Sequence, residues 1–129
     1  MSDSTIDLLD RMIQLRSARH ALLASNVANA HTPGYQPKDV RFAVELGHAS
    51  QSLAPMSATD GRHLSAPEGL DASAFDPVNR PDAIPGPDGN AVSVDTELGK
   101  MAGNAAEAQA YLRILKRKFQ LVHDTLAGA

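Results

Sequence analysis

The amino-acid sequence predicts an all-α protein in which two long terminal helices pair as an antiparallel coiled coil around a Pro/Gly-rich irregular middle segment. Three observations carry this expectation. Val94, Leu98, Met101, Ala105, Ala108, Leu112, Leu115, Phe119, Val122 and Leu126 follow one another at alternating steps of four and three, an unbroken heptad seam. Residues 4–30 also carry apolar side chains at helical spacing, up to a stop at Thr32-Pro33-Gly34. Between them, residues 47–92 hold six of the eight prolines and five of the nine glycines, and no apolar period survives there.

Composition bounds what such a chain can be. Hydrophobic residues make up 43% of the 129, but aromatics only 4%, and tryptophan is absent. That suits long helices better than a globule with a large aromatic core, and it makes stability depend on partners. The net charge of −3 argues against a nucleic-acid target. Residues 47–93 carry two basic and six acidic groups, whereas 1–46 carry five of each and 94–129 carry five basic against four acidic. No cysteine is present, which excludes a disulfide framework and thiol chemistry. No apolar run reaches the roughly 18 residues a membrane span requires, so no transmembrane segment is expected. The opening MSDSTIDLLDRMIQ lacks the positive and apolar regions of a cleaved secretory signal.

The chain divides into three stretches of one structural domain. In the first, residues 1–46, Ser4 and Asp7 have the spacing of a capping box. Leu8, Met12, Leu15 and Leu22 form one seam, and Ile6, Leu9, Ile13, Leu23 and Val27 an adjacent one. The stripe is wide enough to meet more than one neighbour, and Arg16, Arg19 and His20 interrupt it. The helix ends in Ser25–Tyr35, where Pro33 disfavours the α region for Thr32 and Gly34 offers a left-handed conformation. Beyond it Val40, Phe42, Val44 and Leu46 alternate as in a half-buried extended segment, with a short helix from Asp39 as the competing reading.

The second stretch, 47–93, reads as a long loop or insertion. PVNRPDAIPGPDGN is turn upon turn, and Leu53, Met56, Leu64 and Leu70 could dock the segment onto a neighbour. The third stretch, 94–129, is the heptad helix. Asp95 is placed to cap it, Glu97 suits its first turn, and Gly128 lies just past its end. Gly99 and Gly103 weaken its first half, either as drift at tolerant positions or to admit a neighbouring backbone.

Ser25-Asn26-Val27-Ala28-Asn29-Ala30-His31-Thr32-Pro33-Gly34-Tyr35 resembles the N-terminal signature of bacterial flagellar rod and hook proteins, roughly N-N-[IV]-A-N-x-x-T-P-G-[YF]. Ser25 stands where asparagine is commoner, and His31 where asparagine or aspartate is usual. The signature residues are Asn26, Val27, Ala28, Asn29, Thr32, Pro33, Gly34 and Tyr35. Gly34–Phe42, the Thr59-Asp60-Gly61-Arg62-His63-Leu64 element and Arg117-Lys118-Phe119 resemble stretches of the proximal rod subunits of the FlgB type. So does Pro87–Asp95 with Glu97, Met101, Asn104 and Tyr111. The resemblance covers nearly the whole chain, which also lacks the large β-rich insertion of distal rod and hook subunits.

The resemblance implies a structural subunit of the flagellar basal body, not an enzyme, and no cofactor. Such subunits stack helically on the inner-membrane ring and the type III export apparatus, transmit torque and enclose the export channel. They leave the cytoplasm for the periplasmic rod without a cleaved signal. The implied partners are further copies, other rod proteins, the ring and the export apparatus. Interface energy is expected at Leu22 and Val27 and at Leu112, Leu115, Phe119 and Val122. Asn26, Asn29 and Thr32 are expected to fix the turn and to make cross-subunit hydrogen bonds.

Other chemistry finds little support. His20, His31, His48, His63 and His123 form no ligand pair, and Asp88-Gly89-Asn90 is only a fragment of a calcium loop. No phosphate-binding or nucleophile motif occurs. The Arg113–Lys118 cluster reads as a solvated helix face. The rival in another class is a secreted helical coiled-coil adaptor or effector, which would share the heptads but has no need of Asn-Thr-Pro-Gly-Tyr.

Overall fold

A computed structural model of the chain describes residues 4–41 and 77–128. Helix α1 spans Ser4–Ala28 and helix α2 spans Val94–Ala127. Between them lie two short strands, β1 at Lys38–Val40 and β2 at Pro77–Asn79. The helices pack against each other and dominate the tertiary contacts. Asn26 meets Glu97 whereas Arg16 meets Asn104 and Glu107, so the pair is antiparallel, as the sequence predicts.

At 25 and 34 residues the helices are unequal. Extending the pairing from Arg16–Asn104 brings Ser4 level with the region of Arg117. About ten residues of α2, roughly 15 Å, therefore run past the described part of α1. Every residue from Phe119 to Gly128 is exposed.

Among the described residues the apolar core is thin, consisting of Leu9, Leu15 and Leu23 of α1 with Val40 and Ala91. Burying a leucine contributes about 2 kcal/mol, so polar contacts of similar size weigh heavily here. The row of α2 that is covered most by α1 is Glu97, Met101, Asn104, Ala108, Tyr111, Leu115 and Lys118. It shares Met101, Ala108 and Leu115 with the predicted apolar seam, but replaces Leu98, Ala105, Leu112 and Phe119 by their preceding polar or aromatic neighbours. Leu98, Leu112 and Phe119 are left half-exposed on the flank.

Three local expectations are corrected. The cap of α2 is Ser93, not Asp95; Ser93 is extended, and its hydroxyl oxygen accepts from Thr96 Oγ1 at 3.1 Å. Asp95 lies inside the first turn, where its charge still opposes the helix dipole. Second, PVNRPDAIPGPDGN is not all turn: its first three residues form β2, antiparallel to β1 with Asp39 opposite Val78. Third, α1 stops at Ala28, two residues short of Ala30, and Asn29, Ala30 and Thr32 then donate to carbonyls three residues back. Of the alternating segment, Val40 is buried in β1, which favours the extended reading. Phe42, Val44, Leu46, Leu53, Met56, Leu64 and Leu70 lie outside the described residues.

Gly128 ends α2, its N–H bonded to the Asp124 carbonyl, but it keeps a right-handed conformation. A Cβ on Gly99 or Gly103 would meet nothing within 4 Å among the described residues. Among the described residues no helix is long and apolar enough to cross a membrane, and no His, Asp or Glu cluster could hold a metal ion.

Candidate functional site: a clasp closed by the signature turn

The signature residues form the socket of a clasp that joins the end of α1 to the start of α2. The chain leaves α1 in tight steps. Asn29 N–H donates to Ser25 and Asn26 carbonyls, and Tyr35 N–H closes a turn onto Thr32 O at 3.2 Å. Asn29 Nδ2 reaches back to Ser25 O at 2.9 Å, and Thr32 Oγ1 donates to Asn29 Oδ1 at 3.1 Å. Gly34 takes φ +71°, which a residue with a Cβ adopts only at a cost.

The plug is the loop 86–92. Pro87 and Gly89 sit at the second and fourth positions of a turn closed by Gly89 N–H on Gly86 O at 2.9 Å. Gly89 has φ +76°, and a Cβ there would lie 3.3 Å from Gly34 Cα. A side chain at Gly89 would thus crowd the Gly34 backbone, whereas one at Gly34 would meet none of the described residues. Gly34 N–H donates to Asp88 O and Ala91 N–H to Tyr35 O, both at 3.0 Å. Asn90 completes the joint: its Nδ2 donates to Asn29 O at 2.9 Å and to Thr32 O at 2.7 Å. Both carbonyls lie in the turn past α1, and each also accepts a backbone N–H, from Thr32 and Tyr35 respectively.

Beneath the clasp, Asn26 is fully buried with all its polar atoms engaged. Its Nδ2 donates to Lys38 O at 2.8 Å and to Glu97 Oε2 at 2.9 Å. Its Oδ1 accepts from Lys38 N–H at 3.0 Å and from Tyr35 Oη at 3.3 Å. A side-chain amide offers two donor hydrogens and two lone pairs, so Asn26 has nothing left for another subunit. The cross-subunit hydrogen bond expected of it is corrected on that ground. Asn29 and Thr32 also use their side chains within the turn, but Thr32 lies at the surface.

Glu97 is likewise 0% exposed and carries a carboxylate. It is tolerated because Arg80, just after β2, donates Nη2 to Oε1 while Asn26 holds Oε2. Pro37 is buried beside this point, and its carbonyl accepts Arg80 N–H at 3.0 Å. Further along, Arg19 grips Asp39 with Nε at 2.7 Å and Nη2 at 2.9 Å, tying β1 to α1. The Asp39 hydrogen bond holds the Arg19 guanidinium above its usual pKa. Burial alone would raise the Asp39 carboxyl. The Arg19 hydrogen bond, the Val40 N–H and the charges of Arg19 and Arg80 outweigh burial and hold it below the usual carboxylate value.

The expected interface residues lie apart from the clasp. Leu22 and Val27 are half-buried on α1, as is Leu115 on α2, while Leu112, Phe119 and Val122 are exposed. Arg80, Asn90 and Glu97 were not singled out by hydropathy because their partners are remote in the chain. Glu97, Asn104 and Tyr111 do carry a readable signal: with Asn90 they recur every seven residues.

No family model matches the chain. Curated proteins match it nearly end to end. It is 31% identical over 132 residues to the flagellar basal body rod protein FlgB of Salmonella typhimurium, covering 98% of this chain and 95% of that one. It is 34% identical over 130 residues to the FlgB of Escherichia coli K12, with 96% and 94% covered. The FlgB of Cereibacter sphaeroides is 34% identical over 114 residues, with 88% and 87% covered. With the signature turn, the clasp and the paired terminal helices all in place, the chain belongs to the FlgB family of flagellar basal body rod proteins.

Proposed function

We propose that this rod subunit polymerises helically through its terminal helices, transmits torque and encloses the export channel. The chain is a structural subunit of the flagellar basal body rod, as its family membership implies. One observation carries the finer reading. The apolar seam of α2 continues beyond what α1 covers: Leu112 is 51% exposed, Phe119 54%, Val122 45% and Leu126 74%. Apolar side chains at heptad spacing left this open call for further helices, and other subunits supply them.

In this reading Leu22 and Val27 on α1 and Leu112, Leu115, Phe119 and Val122 on α2 are assembly contacts. The contacts are heterologous with a rotation that does not close, so they build a helical tube instead of a small ring. Residues 1–46 and 94–129 form its wall, and residues 47–93 are the connecting segment of the same domain. The partners are further copies, neighbouring rod proteins, the inner-membrane ring and the export apparatus. The subunit reaches the periplasm through that apparatus without a cleaved signal.

The test is incorporation. The tagged chain is expressed in cells lacking their own FlgB subunit, and basal bodies are isolated. Wild-type chain is expected in the rod fraction, and a Phe119→Ser/Leu126→Ser variant is expected to be absent from it. Equal incorporation of the two would overturn the seam assignment.

A further inference from the structure

The apolar part of the interhelix seam cannot fix where α1 sits along α2. Val94, Met101, Ala108, Leu115 and Val122 are seven apart, and so are Leu98, Ala105, Leu112, Phe119 and Leu126. Sliding one helix by a heptad would put apolar against apolar again. A second row is also seven apart but not self-similar: Asn90, Glu97, Asn104, Tyr111 and Lys118. The first three are buried and the last two half-buried.

The first three members of this row each meet a different group, and Tyr111 shares Arg16 with Asn104. Asn90 Nδ2 takes the Asn29 and Thr32 carbonyls. Glu97 takes Asn26 and Arg80. Asn104 Nδ2 donates to Arg16 O at 2.7 Å, and Tyr111 lies under the Arg16 guanidinium, 5.8 Å from its ring centre. Arg16 in turn pairs with Glu107. After a slip of seven residues, an asparagine would face Arg80 and a carboxylate would face the Arg16 carbonyl, or tyrosine would replace asparagine there. Each exchange leaves a buried polar group mismatched.

We propose that the row Asn90–Glu97–Asn104 is an address that sets the axial register of α2 on α1. Buried polar groups in coiled coils select register in this way, at some cost in stability. The consequence rests on the rod-subunit reading: register decides how far Leu112, Phe119, Val122 and Leu126 stand clear of α1 for a neighbour. The residues position the interface and need not touch it.

The experiment measures register in the isolated full-length chain, so its outcome does not depend on assembly. The chain has no cysteine, so spin labels go only where cysteines are introduced. Ala24→Cys and Lys116→Cys place one exposed label on each helix, well separated along the axis. A heptad slip changes their separation by about 10 Å. Electron–electron double resonance is expected to give one distance for the labelled parent. The address-swapped variant Glu97→Asn/Asn104→Glu moves the Asn–Glu pair one heptad along, and a second population about 10 Å shorter is expected. The apolar variant Asn90→Ala/Glu97→Leu/Asn104→Leu is expected to populate more than one distance with its helix content retained. A single native distance in both variants would overturn the proposal. So would loss of helix by circular dichroism in both, because the row would then hold the helices together instead of choosing their register.

Discussion

Asn26 and Glu97 stand 71 positions apart in the chain and meet at 2.9 Å with no solvent exposure on either side chain. The contact joins the last turn of α1 to the first turn of α2, and it explains why a signature asparagine sits there. A leucine would bury as well, but it would leave Glu97, Lys38 N–H and Lys38 O each short of a partner.

Replacing Asn26 tests this directly. Asn26→Ala removes four hydrogen bonds and is expected to cost about 3 kcal/mol, the upper range for buried groups left unsatisfied. Asn26→Asp is nearly isosteric but sets a second carboxylate against Glu97 and withdraws both donated hydrogens. It is expected to be the worse of the two at neutral pH. Urea unfolding followed by circular dichroism ranks them; equal losses would mean that the Glu97 contact matters little.

The glycine contact separates strain from space. Gly34 and Gly89 both have positive φ, at 71° and 76°. Gly34→Ala meets no atom within 4 Å, so only backbone strain of about 1 kcal/mol applies. Gly89→Ala adds a Cβ at 3.3 Å from Gly34 Cα, which neither backbone can easily yield. Its loss is expected to be about 2 kcal/mol, from strain and crowding together. Thermal melts of the two variants give the order.

Acid should loosen the hold of α1 on β1. Asp39 has a depressed pKa in the folded chain, so it contributes stability that is present above the ordinary carboxylate value near 4 and is lost as pH falls through and below it. Asp39→Asn is expected to lower stability at pH 7 by about 1 kcal/mol. It is also expected to flatten the decline between about pH 5 and 3 relative to wild type. Unfolding free energies across that range check both parts, and parallel pH profiles would show that the Arg19 pair is not responsible.

The helices were legible because their signal is local. The heptad steps predict α2 over 94–127, and the structure has it at Val94–Ala127. The face of α2 that meets α1 was only partly legible from apolar spacing, which found Met101, Ala108 and Leu115 but not Glu97 or Asn104. Glu97 and Asn104 are buried only because Arg80, Asn26 and the Arg16 carbonyl come to them from distant positions. Hydropathy ranks a glutamate as solvent-facing unless its partner is known. The same reasoning applies to β2: Pro77, Val78 and Asn79 carry turn-like composition, and only the facing Lys38–Val40 makes them a strand. The Thr32-Pro33-Gly34 stop was readable, while its matching plug at Asp88–Asn90 became one only through contacts 50 or more residues away.

Two replacements on α2 divide folding from assembly. Leu115 is half-covered by α1, so Leu115→Asp forces a charge into the intrachain seam and is expected to cost at least about 2 kcal/mol as well as to abolish incorporation into basal bodies. Phe119 lies in the part of α2 that extends past α1 and is 54% exposed. Phe119→Ser is therefore expected to change the stability of the isolated chain by no more than about 0.5 kcal/mol while still reducing incorporation. A stable, helical Phe119→Ser chain that enters the rod as well as wild type would place the assembly contact elsewhere.

Gly99 and Gly103 give the converse case. Neither has a neighbour among the described residues that a methyl group would strike, so against these both are plain losses of helix propensity. Gly99→Ala and Gly103→Ala are each expected to stabilise the isolated chain by up to about 1 kcal/mol, read as a higher melting temperature. Incorporation then decides between the two reasons for their presence. If the stabilised double variant enters basal bodies normally, the glycines are tolerated drift. If it is more stable yet excluded, a neighbouring helix approaches α2 along Gly99 and Gly103, and the rod needs the backbone bare there.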